Sequence, residues 1–142
     1  MIDAATERLL NILLVEDDEV DVMNVRRAFE RNHMTSSLFV AGNGLEALEI
    51  LHSGIIPKDR RLILLDLNMP KMNGIEFLEA LRADAEFAST PVVVLTTSND
   101  DQDKIDAYNF NVAGYLLKPV TFSSFCERMA TLDKYWALVE MP

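Results

Sequence analysis

The segment Leu62-Ile-Leu-Leu-Asp-Leu-Asn-Met-Pro-Lys-Met-Asn-Gly74 constrains the fold more than any other stretch of the chain. Its opening run of Leu and Ile has no polar alternation, which is the pattern of a strand buried on both faces, as in a parallel sheet covered by helices. The run delivers a carboxylate, Asp66, into a turn punctuated by Pro70 and Gly74. Open parallel sheets place their ligands and chemistry beyond the carboxyl ends of the strands, so Asp66 falls at the working edge. Similar runs occur at Ile12-Leu-Leu-Val15 and Pro91-Val-Val-Val-Leu95, with shorter ones over 38–41 and 112–117.

Between these runs, apolar residues recur at helical spacing. Val22, Val25, Ala28 and Phe29 mark a helix over 19–32, Leu45, Leu48 and Leu51 a second, and Ile75, Leu78 and Leu81 a third. The fourth, over 100–109, is weakly patterned around Ile105 and Tyr108 and rich in Asp, so a marginal, mobile helix is expected. The last starts near Thr121 and carries Phe122, Phe125, Met129, Leu132, Trp136 and Val139, a stripe longer than packing on one small sheet requires. Five strands alternating with five helices predict a doubly wound α/β domain with a parallel sheet. Residues 1–10 read as a loosely docked arm, with the folded domain occupying 11–142.

Composition narrows the partners. With 23 acidic against 13 basic residues and a formal charge of -10, the chain is poorly suited to nucleic acid or an anionic membrane, which require clustered Lys and Arg. Proteins and small cations fit better, although acidity also serves solubility alone. The single cysteine, Cys126, excludes an internal disulfide and is compatible with a reducing compartment. No apolar stretch approaches the ~20 residues of a membrane span, and the start lacks a signal-peptide pattern, so a cytoplasmic location is expected.

Right-handed crossovers bring every strand's carboxyl end to one side of the sheet. Those ends here carry Glu16 and Asp17, Asp66, Thr96, and Lys118. Three carboxylates crowded in a partly desolvated crevice require a bound cation or a raised pKa. All-oxygen ligation suits Mg²⁺. A carboxylate flanked by a divalent cation, an ammonium and a hydroxyl is equipped to attack phosphorus, which makes Asp66 the candidate nucleophile. Each residue taken singly has a structural reading as well: Glu16 and Asp17 as helix caps, Thr96 as a turn opener, Lys118 as a solvated strand end.

Taken together, the elements resemble the receiver domain of response regulators in two-component signalling: Glu16-Asp17, Asp66 in its Pro/Gly loop, Thr96-Thr97, and Lys118-Pro119, over roughly 11–135. The resemblance implies the flavodoxin-like strand order 2-1-3-4-5 with helices on both faces. It implies that Asp66 accepts a phosphoryl group from a histidine kinase, and that Asp17, Asp66 and the main-chain carbonyl of Asn68 ligate Mg²⁺, with Glu16 acting through water. Thr96 and Lys118 would meet the phosphoryl oxygens, Tyr115 would be the aromatic switch, and the Lys118-Pro119 bond would be cis. Asn68 and Ser98 hold positions that tune the family's phosphoryl lifetime. Glu16 departs from the commoner first Asp, and Thr97 stands where many members have Ala. The segment 55–61 and the ending Tyr135-Trp-Ala-Leu-Val-Glu-Met-Pro142 further resemble stand-alone regulators paired with bacterial phytochrome kinases. That subgroup implies a homodimer through helix four, strand five and helix five, with Leu132, Trp136 and Val139 as the candidate face, though Trp136 packing on its own domain fits as well.

The expected function is therefore a phosphoryl-accepting switch rather than an enzyme, acting on a downstream protein or phosphotransfer partner, in a phytochrome pathway or another phosphorelay. A Mg²⁺-dependent phosphohydrolase with an aspartyl-phosphate intermediate is the competing class. It usually requires an acid/base Asp two residues after the nucleophile, where this chain has Asn68.

Overall fold

The computed structural model describes residues 9–142 and turns each apolar run into a strand. β1 (Asn11–Val15), β2 (Ser37–Ala41), β3 (Arg61–Leu65), β4 (Val92–Thr96) and β5 (Gly114–Leu117) form one parallel sheet in the order β2-β1-β3-β4-β5. The helices are α1 (Glu19–Arg31), α2 (Gly44–Ser53), α3 (Gly74–Ala83), α4 (Asp101–Asn109) and α5 (Phe122–Leu138). This is the doubly wound, flavodoxin-like order expected above. The proposed N-terminal arm lies outside the described residues up to residue 8, whereas Leu10 is already buried.

Unbroken apolar runs follow from burial on both sides. Leu13, Val15, Ile63, Leu65, Val92 and Val94 point into a layer with Ala47 and Leu51 of α2, Phe77, Leu78 and Leu81 of α3, and Ala107 of α4. The alternate residues Ile12, Leu14, Leu62, Leu64, Val93 and Leu95 enter a second layer with Val25, Ala28 and Phe29 of α1 and Phe125, Cys126, Met129 and Trp136 of α5. Each fully buried Leu, Ile or Phe stabilises the fold by about 1.5–3 kcal/mol relative to exposure. A polar residue at any of these alternate positions would interrupt one layer or the other.

All five helices begin at the carboxyl edge of the sheet, and each has a side-chain cap there. Asp18, Asn43, Asn73, Asp100 and Thr121 accept backbone N–H bonds of α1 to α5 respectively. Asn73 forms a full capping box with Glu76. Such caps contribute about 1 kcal/mol each and fix the loops between strand and helix.

The expectations for α4 and α5 meet different outcomes. Ala107 is the one buried residue of α4, in keeping with its weak pattern. In α5, Trp136 turns inward and is only 6 % exposed, and Leu132 and Val139 are half-buried against the same layer. Within the candidate face of Leu132, Trp136 and Val139, Trp136 packs on its own domain, the alternative given for it above. The physical reason for the helix's extra length is local. Arg60, from the 55–61 segment, donates to the carbonyls of Trp136 and Val139, the latter at 3.0 Å, and caps the helix's negative end. At that end Tyr135 and Leu138 are the exposed apolar residues.

A second arginine organises the same, amino edge of the sheet. The Arg82 guanidinium donates to the carbonyls of Ala88 (3.0 Å), Thr90 (2.7 Å), Phe110 (2.7 Å) and Asn111 (3.3 Å). It joins α3, the α3–β4 turn and the residues that follow α4. His52, in the last turn of α2, lies 3.1 Å from Asp84 and edge-on to Phe87, a role in helix packing rather than chemistry.

Candidate functional site

Sheet register builds the site. Val15 and Leu65 are register partners, so Glu16 and Asp66 leave adjacent strands side by side. The ladder runs one residue further: the N–H of Glu16 donates to Ala41 O at 2.9 Å, and that of Asp66 to Val15 O at 3.0 Å. Glu16 and Asp66 are buried and Asp17 is exposed, and oxygens of the three carboxylates lie within 4.8 Å of one another. The capping role left open for the acidic pair belongs instead to Asp18, whose Oδ1 accepts from Val20 (2.8 Å) and Asp21 (3.2 Å).

Lys118 closes the cluster from the end of β5. Its Nζ donates to Glu16 Oε1 and, at 2.8 Å, to Asp21 Oδ2, and stands 3.7 Å from Asp66 Oδ2. Burial alone would lower the Lys118 pKa, but its hydrogen bonds to Asp21 and Glu16 and the charges of Glu16 and Asp66 outweigh that and raise it. It is therefore a fixed positive charge. The Glu16 carboxyl is pushed up to about 9, first by burial and then by the adjacent Asp66, with Lys118 opposing. The Lys118-Pro119 bond is trans, since the described residues contain no cis peptide, and this corrects the cis expectation. The N–H of Lys118 carries the β4–β5 pairing one residue past the strand, donating to Thr96 O at 2.8 Å.

The carboxylate cluster has the chemistry of a divalent-cation site. Glu16 Oε2 is a buried oxygen without a hydrogen-bond partner among the described residues, an arrangement that is costly unless a cation or proton satisfies it. The donor set is all oxygen, as Mg²⁺ and Mn²⁺ prefer. Asn68 follows Asp66 on the loop, with its N–H 3.4 Å from Asp66 Oδ1. Gly74 anchors that loop: a Cβ there would stand 2.6 Å from Leu67 Cα and 2.7 Å from Asp66 O. Met72 packs against Gly44 in the same way, and Lys71 takes a φ of 64° between them. The loop's methionines are thus packing residues, Met69 being buried.

Thr96 is fully buried at the end of β4. Its Oγ1 accepts from the N–H of Ser98 at 3.3 Å. The Tyr115 hydroxyl donates to Ser98 O at 2.9 Å, and Ser98 Oγ donates to Asp103 Oδ2 of α4 at 2.6 Å. One residue, Ser98, therefore links Thr96, Tyr115 and the first turn of α4. Burial first of all raises the Tyr115 pKa, which keeps the hydroxyl a donor.

Every residue selected from the sequence at the four strand ends is thus brought to one edge. Sequence reasoning missed Asp21. Its available signal was position: three residues after the Asp18 cap, it lies in the first turn of α1 and so at the same edge.

Fold and site together define a receiver-type domain: a doubly wound sheet whose carboxyl edge gathers an acidic pair, a buried aspartate, a hydroxyl and a lysine. The chain belongs to the response regulator receiver domain family, whose model matches residues 12–130. It is 34% identical over 128 residues to the response regulator Rcp1 of Synechocystis sp., covering 88% of this chain and 87% of that protein. A crystal structure of the Mn²⁺-bound form of Rcp1 superposes with a TM-score of 0.79 at 33% identity, covering 92% of this chain and 97% of that one. That of the phosphorylated cyanobacterial phytochrome response regulator RcpA gives 0.83 at 30% identity, covering 94% and 99%. The probable methanogenesis regulatory protein FilR2 of Methanothrix harundinacea is 39% identical over 127 residues, 88% of this chain and 82% of its own. No helix of the described residues is long and apolar enough to cross a membrane.

Proposed function

We propose that Asp66 is the phosphoacceptor of a histidine kinase, with Mg²⁺ held by Asp17, Asp66 and the Asn68 carbonyl, and by Glu16 through water. The observation that carries this reading is the buried Asp66 carboxylate, with Lys118 Nζ 3.7 Å away and Glu16 and Asp17 beside it. An Asp66 oxygen attacks the phosphorus of a phosphohistidine, the P–N bond breaks, and the electron pair leaves with the imidazole nitrogen. Mg²⁺, when bound, neutralises charge on the transferring oxygens. Lys118 pairs with the phosphoryl group, and the Thr96 hydroxyl donates to it. Thr96 then pulls on the Ser98 N–H, and Tyr115, bonded to the same residue, turns inward.

Similarity to RcpA supports a phytochrome-type kinase as the donor, with another phosphorelay as the alternative. The protein acts in the cytoplasm, by changing which protein or phosphotransfer partner it binds. Two copies pair across α4, β5 and α5. A groove of about 550 Å³ lined by Leu116 of β5 and by Glu127, Arg128, Leu132 and Tyr135 of α5 supports the β5–α5 part of this contact, since opposite charges on one patch suit a two-fold contact. Sedimentation with and without phosphorylation tests the pairing, and monomer throughout the micromolar range removes it.

The acceptor is tested by incubation with Mg²⁺ and acetyl phosphate. One acid-labile phosphoryl group per chain is expected, and none in Asp66→Asn. Undiminished labelling of the variant overturns the assignment, and sustained turnover of phosphomonoesters favours the hydrolase.

A further inference from the structure

The Lys118 ammonium is closer to a residue outside the acceptor cluster than to the acceptor. Asp21 Oδ2 lies 2.8 Å from Nζ and makes a hydrogen bond, whereas Asp66 Oδ2 lies 3.7 Å away and makes none. Asp21 is well placed to hold a charge. It sits in the first turn of α1, where the helix's N-terminal dipole favours an anion, and its own N–H is bonded to the Asp18 cap. Its carboxylate is a third exposed, unlike the enclosed Glu16 and Asp66. An ammonium has three donors, two of which are engaged here, by Glu16 and Asp21.

From this geometry we infer that Asp21 is a positioning residue that holds Lys118 off Asp66 in the unphosphorylated protein and gives it up to the phosphoryl group. The inference rests on Asp66 being the acceptor. A phosphoryl group brings a charge of about -1.5 to -2 and three acceptor oxygens, and it extends from Asp66 into the space Lys118 faces. Asp21 and the phosphoryl oxygens then compete for the same N–H groups. The bond to Asp21 opposes the phosphorylated arrangement, and its loss leaves an unpaired carboxylate on α1. Nothing in this exchange changes the bond made at phosphorus. Asp21 sets how favourable the product is.

The prediction is an affinity for a phosphoryl mimic. Beryllofluoride titrated at saturating Mg²⁺, followed by the ¹⁹F resonance of the bound species, is expected to bind Asp21→Asn about three- to tenfold more tightly than wild type, the size of a partly exposed charged hydrogen bond. Asp21→Glu, which restores the charge, is expected to return most of the wild-type affinity. Asp21→Asn in a Lys118→Met background decides between positioning and general charge. Acting through Lys118, Asp21 has no effect there, whereas a general repulsion of anions by its charge persists. Affinity unchanged or weakened in Asp21→Asn, or an equal gain in the Lys118→Met background, overturns the inference. Wild type that takes no label at Asp66 from acetyl phosphate defeats the acceptor assignment instead, so the two failures are distinct.

Discussion

Replacing Gly74 with alanine tests whether the position of Asp66 depends on backbone packing. The added methyl would lie 2.6 Å from Leu67 Cα, 2.7 Å from Asp66 O and 2.8 Å from Leu67 Cδ2. Two of these three neighbours are backbone atoms of the segment that carries Asp66, so no side-chain rotation relieves the contact. Overpacking of this kind costs about 1–3 kcal/mol. The gain in helix propensity, at most ~1 kcal/mol in a helix interior, is smaller at the first residue of α3. A net loss of about 1–2 kcal/mol follows, equivalent to roughly 3–8 °C in Tm for a chain of this size. Because α3 must withdraw or Asp66 must move, acetyl phosphate labelling is expected to fall at least about tenfold, the effect of an ångström-scale misplacement. Gly114→Ala is the matched control, since a Cβ there meets nothing within 4 Å. Urea unfolding and phosphoprotein gels measure both quantities. Gly74→Ala within about 0.5 kcal/mol of wild type and fully labelled, or Gly114→Ala equally damaged, would refute the reasoning.

Two further outcomes follow from the site. The Glu16 carboxyl, near 9 in the fold against an ordinary 4.5, keeps its proton longer folded than unfolded. Its contribution is complete below the lower value and is lost as pH rises toward the upper one, so the metal-free protein should lose stability between about pH 5 and 8. Glu16→Gln should flatten that slope and Mg²⁺ should stabilise wild type more at the high end; thermal melts showing the same slope in both proteins would contradict it. Tyr115→Phe removes the bond to Ser98 O at a cost of about 1 kcal/mol. Amides over 97–103 should then exchange several-fold faster while Asp66 labelling persists, and unchanged exchange would count against the link.

Some of this was legible from residue types alone and some was not, for identifiable reasons. Strands covered on both faces announce themselves, because Leu62 to Leu65 must satisfy two apolar layers and no polar residue is tolerated. Parallel topology then forces Glu16, Asp66, Thr96 and Lys118 to one edge before any geometry is known. The Asp21–Lys118 bond spans 97 positions of sequence, and nothing local to either residue announces it. The junction at Ser98 is equally silent, since two of its three links use main-chain atoms that every residue has. The apolar stripe of α5 gave the inward face correctly. What it could not reveal was that Arg60 secures the far end through the carbonyls of Trp136 and Val139.

The four carbonyls gathered by Arg82 have a mechanical consequence for α4. Phe110 and Asn111, immediately after the helix, are clamped to α3 and to the turn before β4, and the helix's one buried residue, Ala107, lies near that same end. The other end is tied to the β4–α4 loop by side-chain bonds involving Asp100, Ser98 and Asn99. A beam fixed at one end and lightly tied at the other moves by pivoting. Nine residues of helix form an arm of about 13 Å, so a tilt of roughly 10° carries the free end about 2 Å. Arg82, at the edge of the sheet farthest from Asp66, would thereby serve as the fulcrum for any displacement of the β4–α4 loop.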